Sequence, residues 1–249
     1  MSMQVQLVGV EKRFGPKRVL EGVDIAFAPG KITVVIGPSG CGKSTILRLL
    51  LGLQRPDAGR VLVDGQDLAI FKEPDWMAYR ERIGMVFQSG ALFDSMPIGR
   101  NVGFALQEHT KLPREEIDRI AEDKLRLVGL AGQAQLRPSE LSGGMQKRVA
   151  IARAIARDPG MVLYDEPTTG LDPITSTVIE DLIVSVAKQT GATSIVVTHQ
   201  LSTIFRTADR IVMLLAGVVL GEGTPDELKA SPDPRIRGFL SGTVPDGWA

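Results

Sequence analysis

The chain has 249 residues, with 29 Lys and Arg balanced by 29 Asp and Glu, 43% apolar side chains, 5% aromatic ones and one cysteine. That length is near the upper end of what one core supports, so one domain with subdomains is expected, burying about 70–75% of its unfolded surface. Zero net charge excludes a surface of clustered Lys and Arg for a polyanion, and no nucleic-acid partner is expected.

One cysteine cannot close an internal disulfide. The first residues lack the basic-then-apolar order of a leader peptide, so neither secretion nor import is expected. The longest apolar stretch, Ile211 to Leu220, is far short of the ~20 residues that cross a bilayer, so any membrane role has to come through a partner.

Val5 to Val10 alternate as a strand does, and Leu20 to Ile36 gives two strand-like runs broken at Pro29-Gly30. Ile32 to Ile36 is apolar on both faces and suits a central strand of a parallel sheet. It leads into the glycine-rich run 37–45 and a helical pattern closed by Gly52. Arg60 to Val63 followed by Asp64-Gly65 predicts a hairpin, hence an N-terminal antiparallel β part. From Ala91 to Asp158 the spacing is helical, with Pro113 opening a charged helix and Gly129 near its end. Met161–Asp165, Ser194–Thr198 and Arg210–Leu215 read as further buried strands, with a helix over Val178–Ala187. The alternation predicts an α/β sheet with helices on both faces. Within one domain, residues 1–90 and 159–225 form the core and 91–158 a helical insert. The tail 226–249 follows a helix start at Pro225 and is expected to run over the surface.

Gly37 to Ser44 fit the P-loop pattern of glycine, four residues, then Gly-Lys-Ser. Glycines let the backbone curl until several N–H groups and a helix N-terminus face phosphate oxygens. Lys43 then reaches the β- and γ-phosphates and Ser44 offers its hydroxyl to Mg²⁺. Cys41 reads as a spectator at a permissive loop position. Asp165 and Glu166 end a buried strand, where adjacent carboxylates are costly unless they meet a cation or a working proton. Asp165 is expected to help hold Mg²⁺ and Glu166 to polarise the attacking water. Pro167 places a loop at the sheet's carboxyl edge, where ligands bind in open α/β sheets. Ser142-Gly143-Gly144 at the start of another helix makes a second anion site.

The order of P-loop, Gln88, Leu141-Ser142-Gly143-Gly144-Met145, Asp165-Glu166, Asp172 and His199 resembles the ABC-type ATPases across nearly the whole chain. The resemblance implies a RecA-like P-loop core with an N-terminal antiparallel β part and an inserted helical subdomain. It also implies ATP hydrolysis with Mg²⁺. Gly37, Pro38, Ser39, Gly40, Cys41, Gly42, Lys43, Ser44 and Thr45 would wrap the phosphates, and Phe14 would stack on adenine where tyrosine is commoner. Gln88 would touch Mg²⁺ or the lytic water, and His199 would contact the γ-phosphate and orient Glu166. A head-to-tail homodimer is implied, with Ser142, Gly143 and Gly144 reaching nucleotide held by the opposite subunit and Asp172 at the seam. Met145 and Gln200 depart from the usual signature glutamine and the usual acid.

Peripheral stretches, among them residues 87–106, the methionine signature, 171–183 and 232–242, resemble the ATPases of MCE/Mla-type phospholipid-transport systems. This implies transmembrane permease subunits, an MCE-domain lipid-binding protein and a peripheral position on the cytoplasmic face of the inner membrane. The other reading is an importer ATPase for amino acids or another polar solute. Non-transport relatives either split these motifs with long coiled coils or carry two cassettes, and neither pattern is present. Ala91-Leu92-Phe93 reads either as a floor for a permease helix or as packing of the helical insert. His109, in a polar stretch, reads as solvated.

Overall fold

The computed structural model describes residues 2–243. Strands β1 (Val5–Phe14) and β2 (Lys17–Phe27) pair antiparallel. β1 turns Val5 and Leu7 inward in alternation, and an irregularity after Leu7, where Gly9 has φ 56°, brings Val10 inward as well. Strand β3 (Ile32–Ile36) is buried throughout and feeds helix α1 (Lys43–Leu50). Strands β4 (Ala58–Val63) and β5 (Gln66–Asp67) form the expected hairpin, with Asp64 and Gly65 both left-handed at φ 49° and 79°. Together they make a four-stranded sheet in the order β2-β1-β4-β5.

Helix α2 (Glu73–Arg80) and strand β6 (Ile83–Val86) precede three helices, α3 (Ile98–His109), α4 (Arg114–Leu127) and α5 (Gly143–Ala154). Strand β7 (Met161–Asp165), helix α6 (Pro173–Thr190), strand β8 (Thr193–Val197), helix α7 (Leu201–Thr207) and strand β9 (Arg210–Leu215) follow. Strand β10 (Val218–Gly223) and helices α8 (Pro225–Lys229) and α9 (Pro234–Ser241) close the described chain. The second sheet runs β10-β9-β3-β8-β7-β6, parallel apart from the edge strand β10.

This sheet is covered on both faces, which is why its strands are apolar without alternation. Val34, Val162, Val196 and Ile211 point to one core with α3 to α6, while Val35, Leu163, Val197 and Val212 point to another with α1 and the antiparallel sheet. Helices therefore cover one face, and the other is shared between α1 and a second sheet.

Three elements depart from the linear reading. The run Ile211–Leu220 is two strands, folded back at Ala216-Gly217 where φ is 49° and 83°. β6 is too short for a periodic signal, and its Gly84 is set by packing: a Cβ there would lie 2.2 Å from the Ala154 carbonyl of α5. The tail does not simply run over the surface, since α9 buries Ile236 and Leu240. Residues 244–249 lie outside the described residues.

Candidate functional site

The loop between β3 and α1 is shaped by close approach. A Cβ on Gly37 (φ 145°) would sit 2.2 Å from the Leu214 carbonyl, and one on Gly42 (φ 109°) 2.6 Å from Leu20. Lys43 Nζ donates to the carbonyls of Gly37 (2.7 Å) and Pro38 (3.0 Å), folding the ammonium over the loop. Pro38 is half-buried, Ser39 and Gly40 are exposed, and Thr45 is buried at the start of α1. Cys41 is not at a permissive position: it is packed beneath the loop, and burial pushes its thiol up, away from the reactive thiolate. Phe14 is 42% exposed at the end of β1, with Lys12 Nζ 5.7 Å from its ring centroid, so it is not a core aromatic. The hairpin carrying it touches the loop, since Leu20 pairs with Lys12 and lies against Gly42.

Ser44 Oγ is 3.5 Å from Asp165 Oδ1 at the end of β7. Burial, and then the Glu166 carboxylate, push the Asp165 carboxyl above its ordinary range, against smaller pulls from Ser44, Arg48 and Lys43. A hydroxyl and a carboxylate short of positive charge fit Mg²⁺, which takes one or two protein oxygens and completes its shell with phosphate and water.

Glu166 has φ 47°, a left-handed backbone that a non-glycine residue holds only under constraint. The constraint is visible: its N–H donates to Val197 of β8 at 2.9 Å. Its Oε1 lies 2.8 Å from His199 Nδ1, while Oε2 accepts from Thr198 (3.2 Å) and Thr169 (3.3 Å). The structure thus joins two residues far apart in sequence.

The Gln88 side chain is exposed and makes no hydrogen bond among the described residues; its backbone is what is held. Buried Lys147 of α5 donates to the Gln88 carbonyl, and Arg153 donates to the carbonyls of Gly90 (2.8 Å) and Ala91 (2.7 Å). Burial depresses both cations from their usual values, and for Lys147 the charges of Asp165 and Glu166 oppose that shift. Neither cation stood out in the sequence as part of the site. Asn101 was missed too: fully buried, it donates to Phe93 and Met96 carbonyls and accepts from the Phe93 N–H. An asparagine inside an apolar helical run was its one signal.

Ala91-Leu92-Phe93 divides: Leu92 packs against the core, whereas Ala91 and Phe93 are exposed. They line a groove of about 540 Å³ with Phe87, Met77, Phe104 and Arg153. His109 is exposed, as expected, and stands at the edge of this groove 3.6 Å from Glu81.

Ser142 caps α5 by accepting from Met145 N–H at 3.3 Å. No hydrogen bond joins residues 142–144 to the phosphate loop of the same chain among the described residues. The two signature glycines differ: a Cβ on Gly144 would meet Thr175 at 2.4 Å, whereas one on Gly143 would make only ordinary contact at 3.6 Å. Packing within the chain thus explains glycine at 144 and not at 143, which is exposed. Asp172 caps α6, accepting from Ile174 and Thr175 N–H groups at 3.0 Å, and Thr175 holds its carboxyl below the usual range.

A phosphate loop, a strand-end acidic pair and a capped signature helix on this two-sheet core define a nucleotide-hydrolysing cassette. The chain belongs to the ABC transporter family, whose pattern matches residues 20–169, and it is an ATP-binding ATPase. It is 42% identical over 233 residues to the intermembrane phospholipid transport system ATP-binding protein MlaF of Escherichia coli, covering 94% of this chain and 86% of that one. It is 39% identical over 242 residues to a probable ribonucleotide transport ATP-binding protein of Mycobacterium leprae, covering 97% and 70%. A dimeric ATP-binding cassette bound to ADP and Pi superposes with TM-score 0.79 at 32% identity, covering 88% of this chain and 98% of that one.

Proposed function

We propose that this ATPase powers phospholipid movement between membranes, as a peripheral subunit on the cytoplasmic face of the inner membrane. The observation that carries the reading is the near full-length identity to a phospholipid-transport ATPase. A polar-solute importer is the second reading and is not favoured: the relative named for ribonucleotide transport is less similar, and a smaller share of it is covered.

In the proposed cycle two copies close head to tail over ATP. Lys43, now folded on the loop carbonyls, turns to the β- and γ-phosphates, and the N–H groups of residues 37–45 cradle their oxygens. Phe14 offers its exposed ring to adenine. Ser44 and Asp165 would hold Mg²⁺, with Gln88 touching the ion or the lytic water, and the ion would neutralise phosphate charge. Glu166 orients water, and His199 holds Glu166 while reaching for the γ-phosphate. Exposed Ser142 and Gly143, with Gly144, serve the opposite subunit's nucleotide, and Asp172 lies at the seam. Closure is then linked to nucleotide because half the contacts exist only in the closed pair. The groove beside Gln88 receives a helix of the permease, and an MCE-domain protein carries the lipid.

The test is to tag the chain, purify it from detergent-solubilised membranes, and identify the proteins and lipids that come with it. A permease, an MCE-domain protein and phospholipid are expected. A soluble amino-acid- or nucleotide-binding protein in their place overturns the lipid reading.

A further inference from the structure

Glu180 is a carboxylate where packing calls for an apolar side chain. It lies in α6 beside Ile179 and near Ile183, with 0% of its surface exposed. Such burial is costly unless hydrogen bonds replace the lost hydration. Its Oε1 accepts from Ser202 Oγ (3.0 Å) and Thr203 Oγ1 (2.8 Å). Thr203 Oγ1 is in turn 3.0 Å from Thr168 Oγ1. Thr203 has one hydroxyl proton and gives it to Glu180, so Thr168 donates in the second link. The other oxygen, Oε2, has no hydrogen-bond partner and lies 3.9 Å from Arg206 Nε, whose guanidinium is bound to both oxygens of Asp181.

The position of the three hydroxyls is informative. Thr168 stands two residues after Glu166, and Ser202 and Thr203 stand three and four after His199. One buried oxygen of α6 is therefore bonded directly to two hydroxyls that follow His199, and through Thr203 to one that follows Glu166, the two members of the 2.8 Å pair. Thr168 and Thr203 are themselves fully buried, so water does not compete for these bonds.

We propose that Glu180 is a positioning residue for ATP hydrolysis: through Thr203 and Thr168 it ties the first turn of α7 to the turn after Glu166 and holds Glu166 and His199 at their working separation. This rests on the reading of Glu166 and His199 as the hydrolytic pair. A merely structural glutamate would lower stability when replaced, because the Ser202 and Thr203 hydroxyls lose their acceptor, but would leave kcat per folded molecule unchanged.

The purified full chain is assayed for kcat and KM for ATP, per folded molecule as judged by thermal melting. Glu180→Leu is expected to lower kcat roughly tenfold, since small misplacements of reacting groups are costly, and to leave KM within about twofold. Glu180→Gln keeps an acceptor oxygen and is expected to retain at least about half of kcat. In a His199→Ala background Glu180→Leu is expected to add little further loss, because its effect passes through the pair. Normal kcat per folded molecule in Glu180→Leu overturns the proposal, as does full additivity with His199→Ala. Should Glu180→Leu not fold, Thr203→Val, which removes only the hydroxyl, serves instead, and unchanged kcat there has the same force. Glu166→Gln run alongside separates the two readings. Turnover retained in that variant removes the hydrolytic pair; turnover lost there but normal in Glu180→Leu removes only the positioning role.

Discussion

His199 Nδ1 lies 2.8 Å from Glu166 Oε1, joining the end of β8 to the end of β7 at the parallel sheet's carboxyl edge. Three side chains hold the Glu166 carboxylate, and its left-handed backbone is pinned by Val197. Glu166→Gln is expected to keep ATP binding while hydrolysis falls by at least about 10²-fold, the usual worth of a positioned general base. An ATP-bound dimer should accumulate, visible by light scattering after size exclusion. Near-normal turnover would remove the general-base role.

Ser142→Arg is expected to leave ATP binding to the isolated chain intact and to lower hydrolysis about a hundredfold. The motive is geometric: Ser142 is exposed at the cap of α5 and forms no hydrogen bond with the phosphate loop among the described residues. Mixing this variant with Lys43→Ala should restore part of the activity, because each mixed dimer keeps one intact shared site. No recovery on mixing counts against the head-to-tail arrangement.

The two signature glycines separate packing from chemistry. Gly144→Ala places a methyl 2.4 Å from Thr175 and is expected to cost about 1–3 kcal/mol, read as a lower Tm. Gly143→Ala meets nothing closer than 3.6 Å, so Tm should hold while hydrolysis falls. Equal losses of stability in both would show that residue 143 is glycine for packing alone.

Asp165→Asn carries a sign worth working out. The folded protein raises the Asp165 carboxyl above its unfolded value, chiefly by burial. The native state is therefore destabilised once pH exceeds the unfolded pKa, and fully so above the folded one. Asp165→Asn should raise the Tm of the nucleotide-free protein at neutral pH, with the gain shrinking as pH falls into the ordinary carboxylate range. Hydrolysis should drop by about 10²–10³-fold, because a ligand for the cation is lost. A lower Tm at pH 7 would contradict the electrostatic account.

Arg153→Met leaves the Gly90 and Ala91 carbonyls without their donor and removes the cation facing Phe93 at 5.8 Å. A loss of about 1–3 kcal/mol is expected from the unpaired carbonyls, read by denaturant unfolding. Because these carbonyls belong to the strip that lines the groove, recovery of the permease with tagged Arg153→Met should also fall. Unchanged recovery would place permease docking elsewhere.

Features whose residues are neighbours in the chain were legible from it. The phosphate loop needs a strand, spaced glycines and a helix start, and these follow one another from Ile32 to Leu50. The hairpin at Asp64-Gly65 and the central strands follow from turn chemistry and from apolar runs buried on both faces. β6 and α9 escaped because their signals lie in contacts: Gly84 answers to Ala154, and Ile236 and Leu240 to a core assembled from distant strands.

By itself the sequence determined the local chemistry of this protein: which backbone can wrap phosphate, which carboxylates end a strand, and which helices begin with exposed N–H groups. Only the tertiary structure decided how those pieces answer one another. It set Glu166 against His199, Ser44 against Asp165, and two cations of α5 against the strip after Gln88. It also brought buried Glu180, inside the stretch 171–183, to the hydroxyls of Ser202 and Thr203 beyond His199. Periodicity reports which face a residue turns inward, but a buried polar group takes its meaning from the partner that folding brings to it.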